Sequence, residues 1–190
     1  PSPEATPVAI TAPERGGTRR LVRPGETLRN PNPAAFAVDY QITLSYLEPL
    51  VMPDAATMRP TPWLAHDWSW RDAGLTLQLT LRDDVTWHDG SPVTAGDAAF
   101  SYEVYQKDAN SAVSGFFALA EAFEATTDKV LTVRFRDLDA NWLLNAATLP
   151  VFSRAQLGGF WDDQSGDRAL SGFDWQNNLP QGTGPWELTA

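Results

Sequence analysis

The run Leu75-Thr76-Leu77-Gln78-Leu79-Thr80-Leu81 alternates apolar and polar residues without a fault. A period of two puts the four leucines on one face of an extended chain and Thr76, Gln78 and Thr80 on the other, as in a β-strand covered on one side only. Such a strand requires a sheet with one dry face and an apolar element to lie on it. The residues that follow provide candidates. Arg82-Asp83-Asp84 reads as a turn, Val85-Thr86-Trp87 as a second extended piece, and His88-Asp89-Gly90-Ser91-Pro92 as another turn. Thr94-Ala95-Gly96-Asp97 has the form of a helix start: the threonine hydroxyl can cap the first turn and the Asp97 carboxylate can reach back. Phe100, Tyr102, Val104 and Tyr105 recur at helical spacing, so the pattern predicts a helix over 95–107.

Downstream the signals compete. Ala118 to Thr126 is rich in helix formers, yet Leu119, Phe123 and Ala125 also share one side of a strand. Leu131, Val133 and Phe135 alternate with polar residues after the tight turn Thr127-Asp128-Lys129, and a hairpin over 118–135 explains that short turn better. A helix over 140–147 with Asp139 as N-cap is expected next, followed by a Pro- and Gly-rich stretch to Gly184-Pro185. The ends read differently. Residues 1–17 carry four prolines and no hydrophobic period, the pattern of a flexible tether and not of a signal peptide. Trp186 to Ala190 alternates like a strand just beginning, the mark of a chain cut inside a larger fold. The expected organisation is a tether over 1–17 and a mixed α/β body over 18–190.

Composition narrows the function. A domain of 190 residues buries about 70% of its unfolded surface and needs no staple. Without cysteine there is no disulfide framework, thiolate zinc site, iron–sulfur cluster or cysteine nucleophile. With 14 basic against 24 acidic residues, a net charge of −10, the chain is a poor binder of nucleic acid. Its apolar runs fall well short of the roughly 18 residues a membrane span needs, and 43% hydrophobic residues exclude global disorder. His66 and His88 are the two histidines and lie on different segments, so they read as turn or hydrogen-bonding residues and not as metal ligands. No G-x-S-x-G elbow marks a nucleophile, and the carboxylates are too many to single out a glycosidase pair. Gly182-Thr183-Gly184-Pro185 lacks the lysine of a phosphate loop and suits a turn that brings backbone close to a ligand or another strand. Each of the eight tryptophans fits core or edge packing better than ligand contact.

One resemblance carries the reading further. Pro62-Trp63-Leu64-Ala65-His66-Asp67-Trp68-Ser69, the alternating strand, and then RDDVTWHDGSPVTAGDAAFSYE over 82–103 resemble the signature of family 5 extracellular solute-binding proteins, the peptide, oligopeptide and nickel receptors of ABC importers. Leu47-Glu48-Pro49-Leu50-Val51 resembles that family's segment after its first helix. Gly16-Gly17-Thr18 with Leu21-Val22 resembles its opening strand, and Gly182-Thr183-Gly184-Pro185-Trp186 its "GTGPY". Asp84 and Gly96 depart from the residues common there, a glycine and an acidic residue.

The resemblance implies a mixed α/β fold of the periplasmic-binding-protein type II kind, of which this chain holds only the N-terminal lobe. It implies capture by closure of two lobes and not catalysis, no cofactor, and an ABC permease as partner. It further implies a monomer outside the cytoplasm, tethered by a lipid on a cysteine preceding Pro1. Peptide is the first choice of ligand, with oligosaccharide or nickel as alternatives within the family. Candidate cleft residues are Thr27, Asn30, Pro31 and Asn32 on the loop after the first strand, with Glu48, Thr183 and Gly184; they are polar or turn-forming and follow strand ends. A carbohydrate-active enzyme or sugar-binding module is the rival class, raised by the acidity and the tryptophans. A third reading makes the domain a sensor fused to a regulator.

Overall fold

A computed structural model describes residues 32, 40–175 and 177–188. In chain order they form α1 (Tyr40–Tyr46), β1 (Val51–Pro53), β2 (Pro60–Pro62), β3 (Ala65–Arg71), β4 (Thr76–Leu81), α2 (Ala95–Lys107), β5 (Ala120–Thr127), β6 (Val130–Phe135), α3 (Trp142–Asn145) and α4 (Arg154–Asp162). β1 and β2 pair as a small antiparallel ribbon. The main sheet is antiparallel throughout, in the order β3-β4-β6-β5.

The register follows from the alternation. Trp68 faces Leu79, Leu79 faces Leu131, and Phe123 faces Val133. The core face therefore collects Leu77, Leu79, Leu81, Leu131, Val133 and Phe135, all buried. Ser69, Gln78, Thr132 and Glu124 line up on the opposite face, where Gln78 Nε2 donates to Thr132 Oγ1. α2 supplies the cover. Its predicted span is the observed one, and Thr94 and Asp97 form the expected capping box. Phe100, Tyr102, Val104 and Tyr105 are all buried, and Tyr102 meets Phe117, Phe123 and Trp142 at ring-centroid distances of 5.3–5.8 Å. Edge-on and tilted contacts of this kind add to the burial itself.

Three polar side chains tie this core, while the Tyr102 hydroxyl and the indole N–H groups of Trp142 and Trp161 find no hydrogen-bond partner among the described residues. Asp97 also accepts from the Arg154 N–H. Ser101 Oγ bridges the Asp97 carbonyl and the Phe152 N–H, and the Tyr105 hydroxyl donates to the Pro150 carbonyl. These bonds lash α2 to the segment that enters α4.

The hairpin over 118–135 is present, as β5 and β6. Packing against α2 and pairing with β6 override the helix propensity of its first arm.

Five expectations are corrected. Leu75 is not in the strand: it is 37% exposed beyond a turn in which Asp72, Ala73 and Gly74 all take positive φ. Val85-Thr86-Trp87 forms no strand, only a bridge between Thr86 and Pro92. The helix expected over 140–147 shrinks to α3, and Asp139 is not its cap; Asn141 holds that place without a side-chain bond, while Asp139 accepts from the Asn141 N–H. The stretch read as irregular contains α4, capped by Ser153 and burying Leu157 and Trp161. Gly158 and Gly159 had masked it, because glycine is a poor helix former. Residues 186–188 form no strand, though the Trp186 N–H bonds to the Ser45 carbonyl. The proposed tether and the opening strand at Gly16 to Val22 lie outside the described residues.

Candidate functional site

The motif Gly182-Thr183-Gly184 packs against the end of α1. The Gly184 N–H donates to the Tyr46 carbonyl (3.0 Å) and the Trp186 N–H to the Ser45 carbonyl (3.3 Å). Glycine is needed for want of space. A Cβ on Gly182 would lie 1.7 Å from the Tyr46 carbonyl oxygen, and one on Gly184 would lie 2.6 Å from that of Ser45. The motif thus brings backbone close to backbone, one of the two roles its composition allowed.

His88 closes the seam from the other side. Its N–H donates to the Gly182 carbonyl at 2.9 Å. Its ring faces Gly182 N–H through Nδ1 (3.3 Å) and the Gly184 carbonyl through Nε2 (2.9 Å). The turn that carries it is held by Asp89, whose carboxylate accepts from the Ser91 hydroxyl and N–H. Those bonds, the hydroxyl's foremost, keep the Asp89 carboxyl below the usual carboxylate range. Tyr46 is fully buried, and burial raises its phenol above the ordinary tyrosine value.

Glu48 lies two residues beyond Tyr46. Its side chain accepts from Trp63 Nε1 at 2.8 Å, and its carbonyl accepts from the Val151 N–H. Trp63 remains 44% exposed. Arg82 forks onto both carboxylate oxygens of Asp84; this pairing, with a smaller contribution from Glu48, strengthens its hold on its proton.

The candidate residues are distributed as follows. Thr27, Asn30 and Pro31 lie outside the described residues. Asn32 is described and buried. Glu48, Thr183 and Gly184 fall on the same seam beside α1, although both backbone polar groups of Gly184 are engaged by Tyr46 and His88. The Thr183 hydroxyl is buried and finds no hydrogen-bond partner among the described residues. Sequence reasoning missed Trp63 as Glu48's partner and His88 as the residue that holds the loop. His88 was given a hydrogen-bonding role, but nothing local indicated with what, since Gly182 is 94 residues away. Among the described residues no cluster of three or more His, Asp or Glu is placed to hold a metal ion, and no helix is long and apolar enough to cross a membrane.

Residues 59–190 match the family model of the bacterial extracellular solute-binding proteins, family 5 middle region. The chain belongs to that family. A Brucella ovis protein provisionally named as an ABC transporter peptide-binding protein is 25% identical over 168 residues, 88% of this chain and 31% of the relative. The Bacillus subtilis dipeptide-binding protein DppE is 36% identical over 61 residues, 30% of this chain and 11% of that protein. This chain therefore spans about a third of the length of the Brucella relative. Among solved structures, NikZ of Campylobacter jejuni, crystallised with Ni(L-His), superposes with a TM-score of 0.71 at 24% identity, over 86% of this chain and 31% of NikZ. The oligopeptide-binding protein AppA of Bacillus subtilis, crystallised with a nonapeptide, gives 0.66 at 20% identity, over 78% of this chain and 29% of AppA. MoaA of A. tumefaciens R10, crystallised with mannopinic acid, gives 0.65 at 22% identity, over 78% and 29%. At these identities the structures establish the fold: mixed α/β, as in the type II periplasmic binding proteins, of which this chain matches about a third.

Proposed function

We propose that this chain is part of the solute-capturing component of an ABC importer and that its ligand is a peptide. The observation that carries the reading is the family match over residues 59–190, joined to the names of the curated relatives. Capture then works by closure of two lobes, a ligand-driven shift of population and not a chemical step. Thr27, Asn30, Pro31, Asn32, Glu48, Thr183 and Gly184 are the proposed positions on this side of the cleft. Gly184 acts there through its conformation, since its own polar groups are engaged within the chain. The receptor works outside the cytoplasm, on a lipid anchor, and hands solute to a membrane permease.

The test is a thermal-shift screen of the full-length protein against tri- to pentapeptides, nickel–histidine complexes, opine-type sugar conjugates and oligosaccharides. A ligand present at 100 times its Kd stabilises by about 2.7 kcal/mol through mass action. A saturable shift with peptides supports the reading, and a shift confined to another class overturns the peptide assignment. Structures of this fold have been solved with a nickel complex and with mannopinic acid, which keeps those two classes in the screen. Hydrolysis of any oligosaccharide would favour the enzyme class instead.

A further inference from the structure

Asp89-Gly90 is the one Asp–Gly pair in the chain, and the chain has no Asn–Gly. Such a pair invites a rearrangement of the main chain. The glycine nitrogen attacks Cγ of the aspartate and a C–N bond forms. A carboxyl oxygen leaves as water, taking the amide proton and the proton of the carboxyl group, and a succinimide ring is closed. Water then adds at the main-chain carbonyl and breaks its bond to that nitrogen. The product is an isoaspartate, in which the main chain runs on through Cβ and Cγ and the former backbone carbonyl is a free carboxylate. One water is lost and one regained. Glycine favours the attack because no side chain shields its nitrogen, and a Cβ on Gly90 would meet open space.

The fold restrains every reacting group. The Gly90 N–H donates to the Trp87 carbonyl at 2.9 Å, which ties up the proton that the attack has to shed. Asp89 Oδ1 accepts from the Ser91 N–H at 2.8 Å and from the Ser91 hydroxyl at 2.6 Å, so the carboxylate is fixed toward the residue beyond the glycine. Those bonds, with a smaller contribution from Gln181, hold the carboxyl below the usual range. It therefore stands as the carboxylate, the poorer electrophile and the form with no proton to give. Both residues are exposed, so water for the second step is at hand whenever the turn opens.

We propose that Asp89–Gly90 is a site of aspartate isomerisation which the folded turn holds closed, with Ser91 as its latch. Conversion reaches the seam on α1. An isoaspartate lengthens the main chain by one carbon beside His88 and removes the side chain that anchors the turn, so His88 loses its seat against Gly182 and Gly184. Thr183 and Gly184 are proposed cleft positions, so the consequence for solute capture rests on the function proposed above; the chemistry of the pair does not.

The test is peptide mapping of the full-length protein aged warm at neutral pH, with electron-transfer fragmentation to tell isoaspartate from aspartate. Residue 89 is expected to convert readily in urea. In the native protein it is expected to convert about a hundredfold more slowly, the factor that three neutral hydrogen bonds supply. Ser91→Ala loses the hydroxyl's bond and should quicken native conversion about fivefold without changing the rate in urea. Ser91→Thr keeps a hydroxyl and should convert like the wild type. No conversion in urea, or equal rates in urea and in the native protein, overturns the site. Ser91→Ala matching the wild type, or Ser91→Thr matching Ser91→Ala, overturns the latch. Converted molecules, separated by ion exchange, are expected to show faster hydrogen exchange at the Gly182 and Gly184 amides than unconverted ones; equal exchange overturns the link to the seam. They are also expected to bind a tri- to pentapeptide pool more weakly, because a pre-set geometry is gone, and equal affinity overturns the consequence for capture. Failure of the unconverted protein to bind any peptide overturns the functional reading and leaves mapping and exchange to judge the site.

Discussion

The sheet-and-helix body and the seam where the Gly182–Gly184 loop lies on the end of α1 are held together by opposite means. In the body, α2 lies on the leucine face of the sheet, and cohesion comes from large side chains filling space, with Leu79, Phe100 and Tyr102 almost wholly buried. In the seam, cohesion comes from backbone groups brought so close that Gly182 and Gly184 have no room for a Cβ. The body is sensitive to losing atoms and the seam to gaining them. The body also draws its bonds from a repeating pattern, whereas the seam depends on a few bonds between remote segments.

Substitutions can break or sharpen that contrast. The largest effect is expected in the body: Leu79→Ala removes a fully buried side chain from the strand at the centre of the core and should cost about 2–5 kcal/mol, read from urea unfolding. Next is Gly182→Ala, expected to cost about 1–3 kcal/mol through overpacking. Its signature should be local, with faster exchange at 182–186 and little change in the sheet. Gly159→Ala is the control, because a Cβ there meets open space on α4; it should stabilise by about 0.5–1 kcal/mol. If both glycine variants behave alike, close approach is not what distinguishes the seam. Thr94→Ala removes the capping box of α2 and should cost about 1 kcal/mol, with m unchanged if the body still unfolds as a unit.

The smallest effect is electrostatic. The carboxyls of Asp54, Asp84 and Asp89 are held below the usual carboxylate range, chiefly by the Thr57 hydroxyl, by Arg82 and by the Ser91 hydroxyl respectively. A depressed native pKa means that the unfolded chain binds the proton first as pH falls. Their contribution is therefore complete above the unfolded carboxylate value of about 4 and is lost as pH falls through the lower native values. Asp84 and Asp89 are exposed and Asp54 is partly so, and all three are solvent-screened, so the acid limb of a stability–pH curve should bend only gently. Asp89→Asn should flatten that limb slightly and act first on the turn carrying His88.

Legibility followed locality. The strand β4, the bounds of α2 and its capping box could be read because period and cap are encoded within a few residues. The hairpin was legible only in outline, since propensity in 118–126 pointed the other way and pairing with β6 decided it. α4 escaped because Gly158 and Gly159 dilute the pattern, although Ser153 and the Leu157–Trp161 spacing were there to find. Of the proposed cleft residues, the sequence could name Glu48, Thr183 and Gly184 as polar or turn-forming. It could not say that Trp63 would bind the Glu48 carboxylate or that the carbonyls of Ser45 and Tyr46 would lie under the glycines.

By itself, then, the sequence determined β4, α2, the dry face of the sheet and the family, because these depend on the order of residues along a few turns of chain and on motifs in series. The tertiary structure alone decided what those motifs do to one another. What the two ring nitrogens of His88 face, a carbonyl and an N–H more than 90 residues away, is decided only when both segments have been brought into place.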